Sequence, residues 1–296
     1  MAADSFNTDY FNDAWMAYFL NNTTLPTNFP GTSSGPNVWL GLSTTIPTRD
    51  QSSNGGTNWN VTELSGGGYA RVQLACSTAN FKKVVPGTYA VISCPPFPVP
   101  SSTQSTNGLP VLAICFFDAA SGGNLLHADT RLINPQWFDN QRGALCIPDG
   151  FLRVGIRCYG ARRGIISEYL ADAFVAHNYA GGNLIASRAG LGFGIYIRLL
   201  TSMPSPATAG ALIGTGWQYT GGCYLWNKIK MGIYANSAQL IGVAGAQADL
   251  PCFAACDASS SGNLLFAGPL NAPCGVSALS NLPTIYPNGL QLGLGR

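Results

Sequence analysis

Two histidines, His127 and His177, are the only imidazoles in the chain, so a histidine-based triad or a metal site of several imidazoles has too few groups to draw on. His127 follows Leu125 and Leu126 in an apolar run and is expected to pack rather than act as a general base. His177 closes a helical pattern, where a cation suits the helix dipole. Cys252 and Cys256 have no second cysteine pair or histidine beside them, so no zinc site is expected. The string GTSSG at Gly31–Gly35 has the form of a nucleophile elbow, but it stands between Pro30 and Pro36 with no strand ahead of it and is read as a loop. The 13 carboxylates include enough acids for a glycosidase pair, which sequence spacing alone does not locate. Asp118 opens a Gly-rich turn, where an Asp bonds its own backbone. No phosphate loop or dinucleotide fingerprint is present. The expectation is a protein without catalytic, cofactor-binding or metal residues: not an enzyme, and with no cofactor. Trp39, Tyr196, Trp59 and Trp217 are candidates for stacking on sugar rings, as in a carbohydrate-binding module. Aromatics at matching strand positions are explained more simply by packing.

The elements that would carry these residues are short. Hydrophobic residues make up 46% of the chain and charged ones 9%, against roughly 25% charge in an ordinary soluble domain, so a free monomer would tend to associate. The 36 glycines and 19 prolines are spread between short apolar runs, as in strands joined by tight turns. A net charge of +2 and no basic block longer than Arg162–Arg163 give little to drive nucleic-acid binding. No apolar run reaches the roughly 18 residues of a membrane span, so no membrane partner is expected. The start, MAADSFNTDYF, has neither the basic beginning nor the apolar run of a signal peptide. The nine cysteines are therefore expected to be mostly buried, reduced thiols. The sequons at Asn21, Asn22 and Asn60 matter only in a glycosylating compartment.

An internal repeat organises the chain. YFNDAWMA (Tyr10–Ala17) aligns with YLADAFVA (Tyr169–Ala176), and VWLGLSTTIP ending at Pro47 with IYIRLLTSMP ending at Pro204. SGGGY (Ser65–Tyr69) aligns with TGGCY (Thr220–Tyr224), DAASGGNLL (Asp118–Leu126) with DASSSGNLL (Asp257–Leu265), and IPDGF ending at Phe151 with YPNGL ending at Leu290. Order is kept and the offset only falls, which describes one unit twice, the second with shorter connections. Residues 1–160 form the first expected domain and 161–296 the second. The largest loss falls between Tyr69 and Asp118, where Val84–Gly108 has the prolines and Ser/Thr/Asn run of an elaborated surface loop. On this alignment Val111 and Cys115 stand where copy two has Cys252 and Cys256.

Each copy is expected to open with a short amphipathic helix, with Phe11, Trp15, Tyr18 and Phe19 on one face, and Tyr169, Leu170, Ala173, Phe174 and His177 repeating the pattern. Asp and Asn residues upstream of the first helix and Ser167 before the second are the expected caps. Each helix is expected to pack on its own sheet. Val38, Leu40 and Leu42 share one strand face with Trp39 opposite, and Ile195, Ile197 and Leu199 repeat it with Tyr196 opposite. LPVLAICFFD is a strand buried on both faces, GGN before Leu125 a hairpin turn, and Asp149-Gly150 and Asn288-Gly289 introduce closing strands. The fold class is mainly β: tandem β-sandwich or jelly-roll-like units, each with a short N-terminal helix.

At these anchors the chain resembles a family of phage and prophage virion proteins, commonly described as tail fibre proteins, with minor capsid or decoration members. The residues that carry the resemblance are VWLGLSTTIPT, ELSGGGYARV (Glu63–Val72) and the strand ending FDAASGGNLL (Phe117–Leu126). Copy two departs from the pattern: YAR becomes YLW, and the acid before the Gly-rich turn is absent. The resemblance implies a structural role in the virion, assembled in the host cytoplasm. The first expectation is a capsid decoration or cement protein stabilising the shell. The alternative is a tail fibre, neck or baseplate adaptor, and a host-surface carbohydrate-binding module stands as a reading of another class. The expected partners are the major capsid protein or tail proteins and further copies of the chain in a homo-oligomer.

Overall fold

A computed structural model describes residues 5–21, 24–26, 29–30, 37–48, 60–98, 110–130, 144–156, 159–160, 164–181, 195–207, 226–230, 233–237, 239–241, 248–258, 262–276, 284–287 and 289–294. The fold is mainly β, with several antiparallel sheets and a short N-terminal helix. It divides into two compact units, neither of them one continuous stretch. The first comprises Met1–Ala14, Leu25–Gly155 and Val175–Gly182; the second comprises Trp15–Thr24, Ile156–Phe174 and Asn183–Arg296.

In chain order the first unit contributes β1 (Ser5–Asn7), the start of α1 (Asp9–Asn21), β2 (Asn37–Ser43), β3 (Val72–Ala75), β4 (Phe81–Val85), β5 (Thr88–Val91), β6 (Ala113–Phe117), β7 (Leu125–Asp129) and β8 (Arg153–Gly155). Its main sheet has the order β1-β7-β6-β2-β3 and a smaller one the order β4-β5-β8. β6 lies inside the larger sheet and is buried at every position, which is why its sequence is continuously apolar. Val38, Leu40 and Leu42 of β2 are fully buried. Trp39, on the opposite face, is half-buried against a cluster of Ala113, Cys115, Phe117, Leu125 and Ala128, shared with Tyr10 and Val61. Phe11 stacks on Phe29 at 5.1 Å, and Tyr179 packs on Phe81 at 5.3 Å.

The second unit contributes β9 (Tyr159–Gly160), β10 (Gly164–Ile166), the start of α2 (Glu168–Tyr179), β11 (Tyr196–Leu200), β12 (Trp226–Lys230), β13 (Ile233–Asn236), β14 (Leu240–Ile241), β15 (Ala248–Cys256), β16 (Leu264–Val276), β17 (Thr284–Ile285) and β18 (Gln291–Gly293). Its main sheet runs β11-β15-β16-β10-β9, with smaller sheets β12-β13-β18 and β14-β17. Trp15 meets Phe174 edge-on at 4.0 Å, and Phe19 meets Phe266 at 6.1 Å.

Both helices start on a hydroxyl that serves two elements at once. Thr8 Oγ1 accepts from Phe11 N–H at 3.3 Å and donates to Leu125 O at 2.6 Å, while Thr8 N–H donates to Leu126 O. Ser167 Oγ accepts from Leu170 N–H at 3.1 Å and donates to Leu264 O, while Ser167 N–H donates to Leu265 O. Each cap therefore fixes a helix start and ties it to the strand after the Asp-opened turn.

Several expectations change. The first cap is Thr8, not one of the upstream Asp or Asn residues, because Ser5–Asn7 are taken up in β1 pairing with β7. On α2 the buried residues are Leu170, Ala171, Phe174, Val175, Asn178 and Tyr179, while Tyr169 is exposed, so the face is rotated by about one position. α1 does not only cover its own sheet: from Trp15 on it belongs to the second unit. Val84–Gly108 is not simply a loop. Its first part is the β4–β5 hairpin, turned by Pro86 and by Gly87 at φ 70°, and Phe97 is fully buried and bridged to Leu145. Pro at the second position and a positive-φ Gly at the third are what a tight turn needs, and in sequence they resemble loop composition.

Replacing Thr8 or Ser167 by alanine is expected to cost about 1 kcal/mol each or somewhat more, measured as a shift in the urea unfolding midpoint. Leu40→Ala, at a position with no exposure, should cost about 3 kcal/mol.

Candidate functional site: an arginine clasp on the Asp118 turn

The family-like residues of the first unit converge on one place. Gly66, Gly67 and Gly68 all have positive φ (76°, 62° and 81°), a path that side chains resist. It turns the chain so that Tyr69 and Arg71 return towards Glu63. Arg71 makes a two-point pair with Glu63, Nε to Oε1 at 2.8 Å and Nη2 to Oε2 at 2.7 Å. Its Nη1 donates to Ala119 O at 2.7 Å and Gly122 O at 2.8 Å, and its Cζ lies 3.4 Å above the Phe117 ring. Tyr69 Oη donates to Glu63 Oε1 at 3.0 Å and accepts from Leu42 N–H at 2.8 Å.

The turn that the guanidinium clasps is closed by its own carboxylate. Asp118 accepts from Asn124 N–H at 2.6 Å through one oxygen and from Asn124 Nδ2 at 2.9 Å through the other. Gly122 and Gly123 have φ of 60° and 71°, and a Cβ on Gly123 would come within 2.3 Å of Asp118 Oδ1. Gly41 is needed for a different reason, since a Cβ there would lie 2.8 Å from both Glu63 Oε1 and the Phe117 ring. Tyr10, on α1, faces the same carboxylate, and its phenol is pushed up to about 12 by burial first and by Asp118 second.

The second unit holds its turn by another route. Asn263 bonds Asp257 with the same two contacts, at 2.6 and 2.9 Å. Here the guanidinium comes from Arg198 of β11, fully buried, whose Nη2 donates to Ala258 O at 3.3 Å. Arg198 stands opposite Ala254 as Gly41 stands opposite Cys115, so the strand position that is glycine in one unit supplies the arginine in the other. Sequence reasoning missed Arg198 because it lies outside the segment aligned with YAR. The signal was available in the substitution of Gly41 by Arg in the second aligned strand.

The remaining candidates are dispersed. His127 is buried in β7, its Nδ1 2.9 Å from Asn7 Oδ1 and its ring edge-on to Phe116. His177 is half-buried near the end of α2. Cys252 and Cys256 are free buried thiols of β15. The strand register sets Ala113 and Phe117 in their equivalent places, not Val111 and Cys115, because Tyr196 pairs with Cys256 as Trp39 pairs with Phe117. Asp13 and Asp172 are half-buried on the two helices. Asn60, at φ 59°, donates from Nδ2 to Ile46 O. Tyr196 is half-buried, and Trp59, Trp217, Gly31–Gly35 and the TGGCY anchor Thr220–Tyr224 lie outside the described residues. Among the described residues no group of three or more His, Cys, Asp or Glu is placed to hold a metal. The described polar groups of the clasp bond one another: Arg71 and Tyr69 to Glu63, and Arg71 to the carbonyls of the Asp118 turn.

Residues 7–135 match the family described as Podophage GP4 fiber I protein gp80. The matched stretch contains the whole clasp, from Gly41 to Asn124, and covers less than half of the chain. This similarity to a fibre family supports a structural protein of the phage virion, and a structural family is in keeping with a non-enzyme. No curated protein matches the chain.

Arg71→Lys should act as a disruptive change, since an ammonium cannot hold a carboxylate and two carbonyls in one plane. A loss of about 2 kcal/mol is expected from the lost charge-assisted hydrogen bonds, read from unfolding midpoints. The thiols give a pH dependence. Burial pushes Cys76 and Cys94 up to about 12 and Cys256 to about 11. These acids and Tyr10 stay protonated in the folded state at pH values where the unfolded chain ionises them. Stability should therefore be level up to about pH 8.5 and fall between about 9 and 12, as pH-dependent melting would show.

Proposed function

We propose that the chain is a tail-fibre or fibre-associated adaptor component, built from two copies of one β-rich unit. The observation that carries this reading is the match of residues 7–135 to a podophage fibre protein family, which fits a fibre role better than capsid decoration. The two-copy organisation is supported by recurrent internal detail: a Thr8 or Ser167 cap bonded to the strand it precedes in space, an Asp–Asn-closed turn, and a common strand order. β1-β7-β6-β2 in the first unit has its counterpart in β10-β16-β15-β11 in the second. The hairpins β4–β5 and β12–β13 carry the same register shift after their third pair. With so little charge on the chain, the partners are other tail proteins and further copies of itself.

Quantitative mass spectrometry of purified particles, together with immunogold labelling, tests the location. A handful to a few dozen copies per particle with label at the tail is the expected result. Copies in the hundreds with label over the shell would overturn the fibre reading in favour of decoration.

A further inference from the structure

All the lysines of the chain, Lys82, Lys83, Lys228 and Lys230, stand on two strands, β4 and β12. Each strand is the outer member of a three-stranded sheet and the first arm of a hairpin. In β4 only Phe81 is buried, and Lys82, Lys83, Val84 and Val85 are all exposed. A strand lying on a core alternates, so this arm stands clear of it on both faces. In β12 Lys228 and Ile229 are exposed. Val84, Val85 and Ile229, at 45%, 53% and 46% exposure, are among the most exposed large apolar side chains of the described residues. The other strands of the two sheets, β5, β8, β13 and β18, add Arg153 and no carboxylate.

Lysines on an outer strand deter pairing with another sheet, but that role gives no reason for adjacent exposed valines. Protein interfaces are depleted in lysine and anchored by aromatics and arginine, sugar sites use aromatic faces, and two lysines per arm are few for nucleic acid. Lysine beside exposed aliphatic side chains is the chemistry of an anionic lipid surface: the ammonium groups meet the phosphates and the aliphatic groups enter the headgroup boundary. We propose that the β4–β5 hairpin of the first unit and, independently, the β12–β13 hairpin of the second each dock on anionic lipid headgroups. Docking at this depth needs no spanning segment, and no described helix is long and apolar enough to cross a membrane. The proposal goes beyond the fibre reading and does not depend on it.

The test is co-sedimentation of the full chain with phosphatidylcholine vesicles with and without about one-third phosphatidylglycerol, at low salt and at about 0.5 M salt. Expected are binding to the anionic vesicles only, release by salt, and at least about tenfold weaker binding for the K82Q/K83Q/K228Q variant. The V84N/V85N variant should also bind at least about tenfold more weakly with an unchanged melting curve. Absence of binding to anionic vesicles overturns the proposal, as does full binding by the lysine variant. Full binding by V84N/V85N with complete competition by heparin overturns it in favour of general polyanion attraction. If V84N/V85N fails to fold, V84S/V85S replaces it with the same two readings.

Discussion

A guanidinium taken almost entirely out of water is costly unless its charge and N–H groups are matched where it lies, and at Arg71 that requirement shapes the first unit. Arg71, with a side chain only 6% exposed, places N–H donors on both oxygens of Glu63 and on two carbonyls of the Asp118 turn. An unpaired charge at such a site is destabilising by several kcal/mol, so the surrounding residues are constrained together. Gly41 leaves room for Glu63, Phe117 offers its ring face, and the three consecutive glycines bring Tyr69 and Arg71 round to meet the acid. Residues distant in sequence thus become one structural object.

The second unit shows which part of that object is indispensable. The Asp257–Asn263 closure repeats contact for contact, whereas the arginine that reaches the following carbonyl comes from β11. The requirement is a buried donor on Ala258 O or Ala119 O, not an arginine at one place in the chain. The strand position that leaves room for Glu63 in the first unit is a glycine, whereas Arg198, at the corresponding register position of β11, itself carries the guanidinium in the second.

The similarity to a fibre family falls on this framework. Its described residues hold a turn, a helix start and two strands in register. The hairpin arms, with their exposed lysines and aliphatic side chains, lie apart from that framework.

Period-two patterning is a local property of the chain, so the sequence by itself determined that Val38, Leu40 and Leu42 face inward, that β6 is buried on both faces and that Asp118 and Gly122–Gly123 form a turn. It also determined Ser167 as a cap, because a helix start needs only its nearest residues. Tertiary structure decided what depends on partners far away in the chain: that Thr8 is the other cap once Ser5–Asn7 join a sheet, that α2 turns Ala171, Val175 and Asn178 inward in place of Tyr169, Ala173 and His177, and that Val84 and Val85 belong to a hairpin. It also decided that Arg198 reaches Ala258 O in the second unit as Arg71 reaches Ala119 O in the first, because the partners of a buried cation depend on which atoms surround it in space, and sequence spacing does not carry that information.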